Sequence, residues 1–157
     1  MNFIETSQLS HFQKEAILKL WNNEYPKKLN YPTLEAFEKY LEGLKEQSNI
    51  VMIDDDQKIR GWYFSFIRES EKWFAIILDA AVQGHGLGRK ILNIAKTKES
   101  ELNGWVIDHN TDKKRNGEFY RSPLNFYVKN GFTVIPNTRL ELEILSAVKI
   151  EWRKKDT

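Results

Sequence analysis

The spacing of apolar residues changes along this 157-residue chain, and each change marks an element. Residues 2–6 read as a short first strand. Ser7 or Ser10 can cap a helix in which Phe12, Ala16, Ile17, Leu20 and Trp21 recur at helical spacing until Tyr25-Pro26 stops it. Pro32 and Thr33 open a second helix, with Leu34, Phe37, Tyr40, Leu41 and Leu44 along one face. Residues 50–53 then predict a strand, 54–58 a polar turn and 59–68 a longer strand rich in aromatics, together an antiparallel hairpin. Residues 73–78 are apolar at six consecutive positions, as expected for a central strand covered on both faces. Helical spacing returns through Leu87, Ile91, Ile94, Ala95 and Leu102, with Asn103-Gly104 as the stop and 105–108 as the next strand. That strand, helix, strand unit predicts a right-handed crossover between parallel strands. Residues 109–117 read as a polar loop with solvated charges, 123–130 as a short helix ended by Gly131, 132–135 as a strand, and 140–152 as a last strand interrupted near Ser146.

Between the central strand and its helix lies Gln83-Gly84-His85-Gly86-Leu87-Gly88, where every second residue is glycine. Such a loop can bring backbone N–H groups close to a ligand with no Cβ in the way. At a helix N-terminus those donors and the positive end of the helix dipole suit a phosphate, and Arg89 and Lys90 add formal charge. A dinucleotide fingerprint fails because Arg89 stands where its third glycine is required, and a Walker loop fails because no Gly-Lys-Ser or Gly-Lys-Thr follows. The loop therefore predicts a phosphorylated ligand of another kind.

Composition narrows the chemistry. The length suits one domain over residues 1–157. With 24 basic and 22 acidic residues the net charge of +2 gives no general field for nucleic acid, and Trp152-Arg153-Lys154-Lys155 reads as a solubilising tail. There are no cysteines, which excludes disulfides, thiolate metal sites and a cysteine nucleophile from this chain. No metal is called for. Without a secretory signal or an apolar run of membrane length, a cytoplasmic protein with no membrane partner is expected.

The glycine loop resembles the acyl-CoA pyrophosphate loop of the GNAT acyltransferase superfamily, Q/R-x-x-G-x-G/A. Downstream, Phe126-Tyr127-Val128-Lys129-Asn130-Gly131-Phe132 resembles the family's second motif, an aromatic-tyrosine pair ending in glycine-phenylalanine. The order of elements is similar over nearly the whole chain. The resemblance implies an α/β fold with a mixed, splayed sheet of about six to seven strands flanked by about four helices. It also implies acetyl-CoA as acyl donor, its pantetheine arm on backbone groups near Leu78 and Ala80 and its pyrophosphate on Gln83, Gly84, His85, Gly86, Leu87 and Gly88, with Arg89 and Lys90 beside it. The acceptor would be a primary amine on a small molecule or protein, and a homodimer is within what the resemblance allows.

By the same resemblance, Tyr127 is the general acid that protonates the departing thiolate; a thiol of pKa ~8.5 leaves more readily with a proton from a tyrosine of pKa ~10. Read as a residue alone, Tyr127 is more simply an amphipathic helix position, with its ring in the core and its hydroxyl at the surface. The base for the amine stays open between Glu71, near the family's usual glutamate although Lys72 occupies the aligned position, and Asp79; Asp108 and His109 are further alternatives. His11 is assigned no role. Tyr120 replaces an asparagine that the family often carries seven positions before the tyrosine. The aromatics Trp62, Tyr63, Phe64, Phe66, Trp73 and Phe74 suit an acceptor pocket or, more simply, a core. A non-catalytic acyl-CoA sensor is the competing function.

Overall fold

In the computed structural model, which describes residues 1–155, the capping signal at Ser10 is used in full. Its hydroxyl accepts from the Gln13 N–H at 3.1 Å while the Gln13 side chain accepts from the Ser10 N–H at 2.9 Å, which closes the first turn of α1 (His11–Glu24). Thr33 caps α2 (Leu34–Glu42) in the simpler way, through the Ala36 N–H. The strands are β1 (Asn2–Thr6), β2 (Lys45–Ile53), β3 (Ile59–Arg68), β4 (Glu71–Leu78), β5 (Glu101–Val106), β6 (Thr133–Leu142) and β7 (Leu145–Arg153), with α3 (Leu87–Lys98) between β4 and β5 and α4 (Leu124–Lys129) before β6.

The seven strands form one sheet in the order β1-β2-β3-β4-β5-β7-β6. Every neighbouring pair is antiparallel except β4 with β5, which are parallel and share a single register pair, Trp73 with Asn103. Beyond that pair the two strands diverge, so the sheet is two antiparallel halves joined at one end and open at the other. Asn103 is fully buried at the joint, and its side-chain amide donates to the Lys72 carbonyl at 3.0 Å. Apolar side chains pack on both faces: Trp21, Phe37, Trp62 and Phe64 belong to the core under α1 and α2, while Phe74, Ile91, Leu92 and Phe132 belong to the core under α3 and α4. This is the mixed, splayed α/β architecture the sequence implied, with four α-helices.

Several expectations are corrected. The helix from Leu87 ends at Lys98, and Leu102, Asn103 and Gly104 lie in β5, where six residues pair with β7; the sheet hydrogen bonds override an accidental helical spacing. Phe12, assigned to the buried face of α1, is 66% exposed. The interruption near Ser146 is a full hairpin turn, and β6 and β7 are separate strands. The C-terminal cluster is not a tail in its first half, because Trp152 and Arg153 pair with Leu102 and Glu101. Two charges expected to be solvated are enclosed: Lys114 meets Glu24 at 3.2 Å, and the largely buried Asp112 meets Lys28 at 3.2 Å. No described helix is long and apolar enough to cross a membrane.

Removing the amide at the joint leaves the Lys72 carbonyl without its buried donor. Asn103→Ala is therefore expected to destabilise the fold by about 1–3 kcal/mol in urea unfolding; an unchanged midpoint would show that the joint does not depend on it.

Candidate active site

The glycine loop lies at the open end of the splay. After Leu78, Asp79 turns the chain: its N–H donates to the Arg60 carbonyl at 2.8 Å, one carboxylate oxygen accepts from the Ala81 N–H at 2.9 Å and the other from Arg60 at 3.0 Å. Gly84 and Gly86 then take φ of +83° and +75°, left-handed values that suit glycine, and a Cβ at either would point into open space. Gly88 is small for a different reason. A Cβ there would stand 3.0 Å from the Phe126 ring, so glycine lets α3 approach α4.

This shape leaves donors free. The N–H groups of Gly86, Leu87, Gly88 and Arg89 have no backbone or side-chain acceptor among the described residues, as expected for a first helical turn without a capping side chain. No acidic residue occupies that turn, and the exposed Arg89 and Lys90 stand at the positive end of the helix dipole. Cations there oppose the dipole by some tenths of a kcal/mol each, so the arrangement is balanced only by an anion. His85 is exposed on the same loop.

A cleft of about 490 Å³ runs from this loop along Ile76 to Leu78 to Tyr127. Within it the Leu78 carbonyl accepts from the Gln83 amide at 3.0 Å, and Glu24 of its lining accepts from the Ala80 N–H, just outside it, at 2.9 Å. A second chamber of about 340 Å³ opens on the α1 and α2 side, walled by aromatics including Phe64, Phe66 and Trp73. Tyr25, Ile76, Tyr120, Pro123 and Tyr127 line both spaces and form the wall between them.

Three tyrosines thus converge. The Tyr25 and Tyr120 rings lie 6.3 Å apart, and Tyr127 packs edge-on against Phe74 at 5.7 Å. Burial pushes the Tyr127 and Tyr25 hydroxyls well above the ordinary tyrosine range, and each is raised further by its tyrosine neighbours; burial alone takes Tyr120 to about 12. The Tyr127 hydroxyl makes no hydrogen bond with the described residues, yet it is not among the sealed, unpartnered polar atoms. It is a protonated donor on a residue that lines both spaces.

The candidate bases lie apart from this cluster. Glu71 stands at the far end of β4, paired with Lys149 at 3.6 Å. Asp79 is occupied by Arg60 and its own turn, as described above. Asp108 is gripped by both Arg139 nitrogens at 2.8 and 3.0 Å, whose guanidinium holds its carboxyl below the usual range. His109 contacts Thr111 at 2.9 Å. None of the four lines either chamber. His11 sits on the exposed outer face of α1 beside Glu15.

Sequence reasoning missed Glu24, which lines the cleft and joins the Ala80 N–H to Lys114. It also missed Tyr25, read only as the end of α1, and Arg68 at the second chamber. Tyr120 registered as a departure from a motif; the structure delivers it into the wall on a loop fixed by a Pro26–Lys114 bridge and a 2.8 Å bond from its N–H to Asp112. Of the aromatics, Phe64, Phe66, Trp73 and Phe74 line the second chamber, while Trp62 and Tyr63 are core.

No family model matches the chain, and no curated protein matches its sequence. Solved structures do match its fold. A protein provisionally named a phosphinothricin N-acetyltransferase is 17% identical with a TM-score of 0.73, covering 99% of this chain and 100% of that one. An aminoglycoside 6'-N-acetyltransferase complexed with coenzyme A is 12% identical with a TM-score of 0.71 over 99% and 100%. A mutant form of the spermidine N-acetyltransferase SpeG from Vibrio cholerae is 16% identical with a TM-score of 0.65 over 98% and 95%. The chain has the GNAT-like fold that these N-acetyltransferases share.

The open loop fits a pyrophosphate in shape, donors and charge. Valine at Gly86 would be strained by about 1–2 kcal/mol in its left-handed conformation and would put a branched side chain over the donors. Gly86→Val is expected to weaken coenzyme A binding at least tenfold by calorimetry, with the far-ultraviolet circular dichroism retained.

Proposed function

We propose that this protein is an acetyl-CoA-dependent N-acetyltransferase that passes the acetyl group directly to a primary amine. The observation that carries the reading is the position of Tyr127: a buried, protonated hydroxyl in the wall between an anion cradle's cleft and a separate aromatic chamber. Bound in the cleft, acetyl-CoA supplies a thioester carbonyl for the amine to attack and a thiolate to leave. Gly86 to Arg89 hold the pyrophosphate with their unpaired N–H groups, Gln83 and His85 flank it, and Arg89 and Lys90 balance its charge. Leu78 and Ala80 offer the arm their backbone once Gln83 and Glu24 yield, a local exchange of one hydrogen bond for another.

Tyr127 gives its proton to the departing thiolate as the C–S bond breaks, and the proton that the attacking nitrogen sheds on becoming an amide returns to the tyrosine oxygen by way of solvent. The raised pKa of Tyr127 keeps its proton in place at neutral and mildly alkaline pH, and the adjacent Tyr25 and Tyr120 keep the thiol end out of bulk water. The amine has no carboxylate waiting in the aromatic chamber. An apolar chamber disfavours the ammonium form, so the amine enters neutral, having left its proton in solvent. The solved structures of like fold support the reading in one respect: their names give amines as the acceptors of those proteins.

Tyr127→Phe should lower kcat by about a hundredfold while leaving the acetyl-CoA Kd within about twofold; equal turnover would remove Tyr127 from the proton transfer. Loading with acetyl-CoA but no thiol release from any amine would identify a sensor instead. The pH profile separates the acid from the amine. Log kcat/KM should rise by about one per pH unit up to the pKa of the acceptor, with no fall before about pH 10, because a raised tyrosine pKa moves the alkaline limb upward. A descending limb below about pH 9 would contradict a buried Tyr127 as the acid.

A further inference from the structure

The aromatic chamber has a polarity of its own. Of all the residues that line it, Arg68 alone carries a charge, and no Asp, Glu, Lys or His is among them. Arg68 is exposed at the end of β3, and its guanidinium lies 4.9 Å above the Phe66 ring, turned toward the chamber. Its field acts on Tyr40 of the same wall, lowering a hydroxyl that burial raises. Glu71, opposite Arg68 across the hairpin, is engaged by Lys149 at 3.6 Å, and Arg68 forms no ion pair among the described residues. Trp73, also in the wall, carries a buried indole N–H with no partner. Arg68 and Trp73 are thus donors without a partner among the described residues, whereas Trp21 in the same wall donates to the Leu29 carbonyl at 2.9 Å.

The distance between this end and the reacting end follows from the strands. Tyr63 lies opposite Ile76, which belongs to the wall shared with the cofactor cleft, and Phe66 stands three residues further along β3. At about 3.3 Å per residue, Arg68 over Phe66 is roughly 10 Å from the point of attack.

Resting on the acetyl-transfer reading above, we propose that the acceptor is a small primary amine with a flat apolar body and an anionic group at the end remote from the amine, held there by Arg68. A polycation is disfavoured. The reacting amine enters neutral, but nothing in the chamber neutralises a further ammonium on the same molecule, and Arg68 repels it.

Calorimetry on the full chain saturated with coenzyme A tests this with para-(aminomethyl)phenylpropionate, its uncharged propionamide and spermidine. The acid should bind about tenfold more tightly than the amide, a modest ratio because Arg68 is exposed, and spermidine should bind most weakly. Arg68→Gln should bring the acid to the affinity of the amide, and Arg68→Glu should reverse their order. Equal binding of acid and amide to the native chain, tighter binding of spermidine, or no binding of any probe overturns the proposal. Thiol release from acetyl-CoA is read in parallel. An acid probe that binds through Arg68 yet never releases thiol upholds the chamber's assignment and defeats acetyl transfer, whereas release that favours amide or spermidine upholds transfer and defeats the assignment.

Discussion

The functional architecture depends on one incomplete pairing. β4 and β5 are parallel neighbours held at a single register pair, with the Asn103 amide fastening the closed end. A continued ladder would satisfy more backbone groups and leave no passage through the sheet. Because the strands part, a cleft from the α3 side and a chamber from the α1 side meet in the plane of the sheet, separated only by side chains. The antiparallel partners on either side, β3 and β7, supply the backbone order that β4 and β5 do not supply each other.

The two sides of that opening are built from opposite materials. On one side the useful groups are backbone: free N–H donors at the start of α3, with cations placed where the helix dipole resists them. On the other side they are aromatic rings, which define a shape and exclude water, with Arg68 as the single charge in the lining. Tyr127 belongs to both. Its ring packs against Phe74 and Phe132, and the same burial that anchors the ring keeps the proton on the oxygen.

What could be read from the sequence was whatever is local in it. The strand, glycine loop and helix from 73 to 98 are contiguous, and their spacing announced both the elements and the loop of unpaired N–H donors between them. Boundaries failed where a distant partner decides them: Leu102 continues the helical spacing and Asn103-Gly104 looks like a helix stop, and only β7, nearly fifty residues later by the register, makes them part of a strand. The same is true of the site. Glu24, Tyr25 and Arg68 have no local signature, because each reaches the two chambers beside neighbours brought from elsewhere, and Asp112 and Lys114 looked solvated because the end of α1 and the turn after it, which enclose them, are remote in sequence. Conversely, Glu71 and Asp79 looked available because their partners Lys149 and Arg60 could not be seen from the strand that carries them.

The Glu24–Lys114 pair carries a consequence for assembly. Its residues are 90 positions apart, and the loop it fastens is the one that brings Tyr120 to Tyr25. Closing a segment of that length costs more chain entropy than closing the short turn between β4 and α3. The anion cradle is therefore a locally coded piece that needs little more than its own strand and helix, while the tyrosine wall exists only once the first quarter of the chain has met the last third. Conditions that loosen that long closure would take away the dry wall between the chambers before they disturbed the loop of free N–H donors, so that the proposed acyl donor would lie in a site open to water.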